Sequence, residues 1–189
     1  FRSGNFGNST FFCAPYPVTG AEIAYEEGIP KQFNVNRLFY LFPVGDSWTV
    51  TAGPVVRQDD MLAVWPSQYP AETIMDFFTY AGAPGAYNLA LGGGAGIYWQ
   101  NEAGFSISTS YLSTDANSSD PNSGGLLTDG AGASATTQIA YAPEGWGVAA
   151  AYTYASGAED GGALYPGNGT NAAVQLSTAG NSHSYGLSA

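Results

Sequence analysis

From Tyr87 to Trp99 the chain alternates with a period of two. The odd positions are Tyr87, Leu89, Leu91, Gly93, Ala95, Ile97 and Trp99; the even ones are Asn88, Ala90, Gly92, Gly94, Gly96 and Tyr98. In a β-strand successive side chains point to opposite faces. One face of this segment is therefore apolar and ends in aromatics, and the other is small. The pattern recurs. Phe105, Ile107, Thr109 and Tyr111 oppose Ser106, Ser108 and Ser110. Ala135, Thr137, Ile139 and Tyr141 oppose Ser134, Thr136 and Gln138. Trp146, Val148, Ala150, Tyr152 and Tyr154 oppose Gly147, Ala149, Ala151 and Thr153. Trp48, Val50 and Ala52 alternate with Ser47, Thr49 and Thr51, and His183, Tyr185 and Leu187 with Ser182, Ser184 and Gly186. Phe33–Phe42 reads as a further strand, Ala21–Tyr25 as one more, and Glu72–Tyr80 as a short helix with Ile74, Phe77 and Phe78 on one face.

The connections alternate as well. Pro43-Val44-Gly45-Asp46, Asn101-Glu102-Ala103-Gly104 and Pro143-Glu144-Gly145 are short turns, whereas the segments near 58–85, 115–133 and 156–181 are long, the last two being polar loops. Short turns at one end and long loops at the other are the arrangement of outer-membrane barrels. The strands are long enough to cross a bilayer at a tilt. Trp48, Trp99, Phe105, Tyr141 and Trp146 fall at strand ends, where interfacial aromatic girdles sit. A soluble antiparallel sandwich alternates too, but its inner face should carry Val, Ile, Leu and Phe. Here the apolar face is rich in Ala, Gly and Tyr, and the polar face is poor in charge. The pattern therefore predicts an all-β fold, an antiparallel transmembrane β-barrel, with the sandwich as the alternative.

Charge narrows the function classes. Only 10% of the 189 residues are charged, against about 25% in soluble domains. Fifteen acidic residues face four basic ones, a net charge of −11. Nucleic-acid binding requires clustered Lys and Arg and is excluded; an acidic field attracts cations instead. The uncharged run Phe77–Asn101 contains Pro84 and repeated Gly, so it is a poor membrane helix. Cys13 is the only cysteine and His183 the only histidine, which leaves no internal disulfide, no metal set and no catalytic triad; Ser182 and Ser184 lie on the face of their strand opposite to His183. Asp115-Ala116-Asn117-Ser118-Ser119-Asp120 lacks the sixth-position Gly of a calcium loop. Gly92-Gly93-Gly94-Ala95-Gly96 has Ile97 where a dinucleotide-binding loop needs its last Gly. No enzyme activity, cofactor or metal is expected.

Leu38-Phe39-Tyr40-Leu41-Phe42-Pro43-Val44-Gly45, Gly53-Pro54 and Arg57-Gln58-Asp59-Asp60-Met61-Leu62, with Tyr69-Pro70 and Asp76-Phe77-Phe78-Thr79-Tyr80-Ala81-Gly82-Ala83-Pro84, resemble the cyanobacterial outer-membrane porins of the Som type, relatives of the carbohydrate-selective porins. The resemblance covers most of the chain from Phe33 onwards. It implies a barrel of about sixteen strands, of which residues 1–189 supply roughly half, as a partial porin domain in the cell outer membrane. It also implies an N-terminal surface-layer-homology domain gripping the cell wall, absent from this sequence, and a homotrimer. Both ends of the sequence are read as cut. The function expected is passive diffusion of small hydrophilic solutes or inorganic ions. The alternative, from the sandwich reading, is a soluble secreted carbohydrate-binding or shell-forming module, its exposed Trp and Tyr stacking on sugars.

In a pore the working residues are the charges that line it. Arg37 and Arg57 sit in or beside strands and are candidates to line the lumen. Asp59 and Asp60 open the long segment after Arg57, which is expected to fold inward as a constriction. The same residues also suit a structural ion pair that anchors the loop, and the sequence leaves both readings open. Asp115, Asp120, Asp129, Glu159 and Asp160 read as a solvated acidic rim.

Overall fold

A computed structural model describes residues 35–68, 80–83, 85–156 and 181–189. They form seven strands, β1 (Leu38–Val44), β2 (Trp48–Arg57), β3 (Leu91–Gln100), β4 (Phe105–Ser113), β5 (Ala133–Tyr141), β6 (Val148–Ser156) and β7 (Asn181–Ser188), with one short 3-10 helix at Gln58–Met61. Each strand pairs antiparallel with its neighbour in sequence, giving a single sheet in the order β1 to β7. Among the described residues the sheet is open, with β1 and β7 at its edges. The all-β, antiparallel expectation is met. No helix among the described residues is long and apolar enough to cross a membrane, which does not bear on strands.

The register carries each alternating segment into a continuous face. Thr51, Gly96, Ser110, Thr136, Thr153 and Ser184 lie on one cross-strand row, and Tyr98, Ser108, Gln138, Ala151 and Gly186 on the next row of that face. The opposite face carries the row Trp48, Trp99, Ile107, Ile139, Ala150 and Leu187 and, nearer the short turns, Phe105, Tyr141 and Val148. The ladder slips in two places, between Gly53 and Val56 of β2 against β3 and between Leu38 and Tyr40 of β1 against β2. Pro54 lies at this slip; it has no N–H to give to either neighbour, and a bulge accommodates that loss.

Three boundaries differ from the periodicity. β3 begins at Leu91, not Tyr87, because the preceding backbone is bonded elsewhere. The Leu89 N–H donates to Gln58 Oε1 (3.1 Å), the Ala90 N–H to Asn88 Oδ1 (3.1 Å), and the Gln58 N–H to the Ala90 carbonyl (3.0 Å). Leu89 has φ 51, which no strand tolerates. Trp146 and Gly147 belong to the turn before β6, and β1 starts at Leu38. The proposed strand at Ala21–Tyr25, the helix at Glu72–Tyr80 apart from Tyr80, and the loop from Gly157 to Gly180 lie outside the described residues.

Candidate functional site

The connection from β2 to β3 does not hang free at the long-loop end; its described parts lie against the small polar face. Gln58 directs this. Its side chain is buried, and Nε2 donates to Thr136 Oγ1 at 2.6 Å and to the Ala86 carbonyl at 2.8 Å. Thr153 Oγ1 donates to the same carbonyl at 2.6 Å and shares a bond of 2.9 Å with Thr136. Further bonds follow the sheet. The Ala63 N–H donates to Ser108 Oγ (2.9 Å), Gln138 Nε2 to the Tyr87 hydroxyl (2.9 Å) and Asn88 Nδ2 to Ser134 Oγ (3.0 Å). Small residues admit the connection: a Cβ added to Gly96 would lie 2.7 Å from the Met61 Cβ, well inside contact distance. Met61, Val56, Ala90 and Leu112 form one buried cluster, and Leu62, Ala81, Ala86, Tyr87 and Ala151 another, joined by Trp65.

The covered face is therefore the one built from Ser, Thr, Gln, Gly and Ala. Ser106, Ser108, Ser110, Thr136, Gln138 and Thr153 are buried, while Phe105, Ile107, Ile139, Val148, Tyr185 and Leu187 are exposed. Ile139 is 61% exposed and Leu187 86%. In a soluble domain the apolar side would be the buried one. At the short-turn end this outer face carries a ring cluster, Phe105 on Tyr141 at 4.3 Å and Tyr141 on Trp146 at 5.4 Å. Toward the long-loop end Tyr152, Tyr154 and His183 make a second, with the Tyr152 hydroxyl 2.8 Å from His183 Nδ1.

The four charged candidates come together where β1 and β2 meet the connection. Arg57 binds Asp59 with two bonds, Nε to Oδ1 at 2.5 Å and Nη2 to Oδ2 at 2.6 Å. Arg37 Nε lies 2.8 Å from Asp60 Oδ2 and its Nη2 3.9 Å from Asp59. The Arg57 backbone N–H donates to Asp60 Oδ2 at 2.9 Å, closing the first turn of the short helix. The ion-pair geometry is thus present and extends to Arg37, with two positive and two negative charges offsetting one another. Burial pushes the Asp60 carboxyl above its ordinary 3.8; the Arg57 N–H opposes that shift, the Asp59 charge adds to it, and the two guanidinium groups oppose it. Burial also raises the Tyr87 hydroxyl, against the Gln138 bond.

Residues that sequence reasoning did not single out hold the connection in place: Gln58, Tyr87 and Asn88 on one side, Thr136, Gln138 and Thr153 on the other. The only signal available was the polar character of their rows. The loop Thr114–Gly132 holds Asp115, Asp120 and Asp129. Asp120 is exposed and titrates below 3.8, mainly because the Asn122 backbone N–H donates to it. Among the described residues no group of His, Cys, Asp and Glu is arranged to hold a metal ion. No protein-family model, curated protein or solved structure matches the chain.

Proposed function

We propose that this chain forms part of the wall of an outer-membrane porin barrel, related to the cyanobacterial porins it resembles, and that the barrel passes small hydrophilic solutes or inorganic ions by passive diffusion. One observation carries the reading: the sheet is inverted relative to a soluble protein, its polar face covered by its own connection and its apolar face bare. Large exposed apolar patches on soluble monomers are uncommon, and a lipid-facing wall is the setting in which such a face is stable. The eight intervals between the nine residues of β4, at about 3.4 Å apiece, span about 27 Å. Tilted by about 40°, that projects to about 21 Å, close to the about 25 Å apolar band of such barrels.

In this reading further strands of the protein pair with the β1 and β7 edges, the β2–β3 connection narrows the lumen, and the work done is permeation, not catalysis. The barrel would sit in the outer membrane as a trimer, tied to the cell wall by a separate domain. Arg37 and Arg57 are offset by Asp59 and Asp60. The other carboxylates in the described turns and loops, Asp46, Glu102, Asp115, Asp120, Asp129 and Glu144, set the field at the two mouths. Focusing by unpaired negative charge favours cations. Conductance of the intact protein in a planar lipid bilayer under a salt gradient tests this. Stable conductance steps with a cation-selective reversal potential are expected; well-folded protein that gives no conductance would return the chain to the soluble-module reading.

A further inference from the structure

Where the β2–β3 connection meets the sheet, three buried polar atoms, Trp65 Nε1, Ser106 Oγ and Gln138 Oε1, have no partner among the described residues. Ser106 is 3% exposed and Gln138 1%. Unpaired buried polar atoms destabilise a fold, and three in one neighbourhood is unusual. Their neighbourhood is shared. Ser106 pairs with Ala140 and Ser108 with Gln138, so Ser106 and Gln138 occupy adjacent rungs of the covered face, diagonal neighbours about 7 Å apart. The other end of the Gln138 amide donates to the Tyr87 hydroxyl, and the Trp65 ring meets the Tyr87 ring edge-on at 5.2 Å. A donor (Trp65) and an acceptor (Gln138) therefore adjoin one fully buried tyrosine, and a hydroxyl able to do either (Ser106) lies one rung from Gln138 on the covered face.

A group that satisfied all three would have to donate and accept, be neutral, and be small enough to lie under a connection whose Tyr87 is 0% exposed. Water meets these demands, and buried waters typically make about three hydrogen bonds to such atoms. We propose that Trp65, Ser106 and Gln138 enclose an internal hydration site of one or two water molecules, which completes the seal between connection and wall. The site is independent of what faces the outer side of the sheet, so it stands or falls apart from the pore reading.

The test is a high-resolution crystal structure of the intact protein, with melting of the Ser106→Ala variant beside it. Ordered water within hydrogen-bond distance of Gln138 Oε1 and of Ser106 or Trp65 is expected, together with a melting temperature lowered by a few degrees in Ser106→Ala as the water loses a partner. Removal of a hydroxyl that has no partner would instead leave the melting temperature unchanged or raise it. That outcome, a dry site, or a direct protein partner on Gln138 Oε1 overturns the proposal.

Discussion

Gln58 Nε2 donates to Thr136 Oγ1 at 2.6 Å across 78 residues of sequence, so the segment leaving β2 is fastened to a strand three places along the sheet. Gln58→Leu would strip partners from Thr136, the Ala86 carbonyl and the Leu89 N–H in a buried site. A loss of about 2–4 kcal/mol is expected, read as a shift in the denaturant midpoint of detergent-folded protein. A change below about 0.5 kcal/mol would show that the latch contributes nothing.

At Gly96 the wall closely approaches Met61 of the connection. Gly96→Val would force Met61 aside, at a cost of about 1–3 kcal/mol. Faster amide exchange at residues 58–62, with the β4–β5 ladder still protected, is the expected signature.

Asp60 gives a pH dependence with a definite sign. Its folded pKa is raised above the unfolded 3.8, so the native state holds this proton more tightly than the unfolded chain does. The resulting stabilisation is fully present below 3.8 and is lost as pH rises through the folded value. Relative to Asp60→Asn, which cannot take up the proton, the native sequence should gain stability on acidification from neutral pH to below 3.8. Paired urea titrations at the two pH values measure this, and a gap that moves the other way would mean that the arginines dominate the carboxyl.

On the bare face, Ile139→Arg separates a lipid wall from a wetted one. In a bilayer the cost approaches about 2–4 kcal/mol near the midplane, whereas at a solvated surface substitutions fall within about 0.5 kcal/mol. Folding equilibria of the intact protein in lipid vesicles discriminate the two.

In the porin reading, the charge cluster should register in permeation. Arg57→Gln leaves Asp59 without its bidentate partner and should shift the reversal potential toward cations, while Asp59→Asn should shift it toward anions. Neither variant moving the potential would place the cluster away from the ion path.

Much of the sheet was legible because alternation of side chains is a local property. Phe105 to Tyr111 and Ser134 to Tyr141 state their two faces without reference to the rest of the chain, and the short turns state the register. What was hidden is nonlocal. Tyr87 and Leu89 fit the alternation that leads into β3, yet Gln58, about thirty positions earlier, takes the backbone bonds a strand would need. The meeting of Arg37 with Asp60 depends in the same way on two segments being brought side by side, and no spacing in the sequence encodes it. Gln58 itself is one polar residue in a run of charged ones; only the depth of its burial marks it out.

The neighbour-to-neighbour order of the seven strands also governs the sequence of events in folding. Each of the short-turn hairpins, β1–β2, β3–β4 and β5–β6, closes a small loop and needs little loss of chain entropy. The bonds from Gln58 to β5 and β6, spanning 78 and 95 residues, have nothing to attach to until those strands are assembled. The wall is therefore expected to form hairpin by hairpin and the connection to settle onto it last, with pulse-labelled hydrogen exchange protecting the Ile107–Ile139 region before the Leu89 amide.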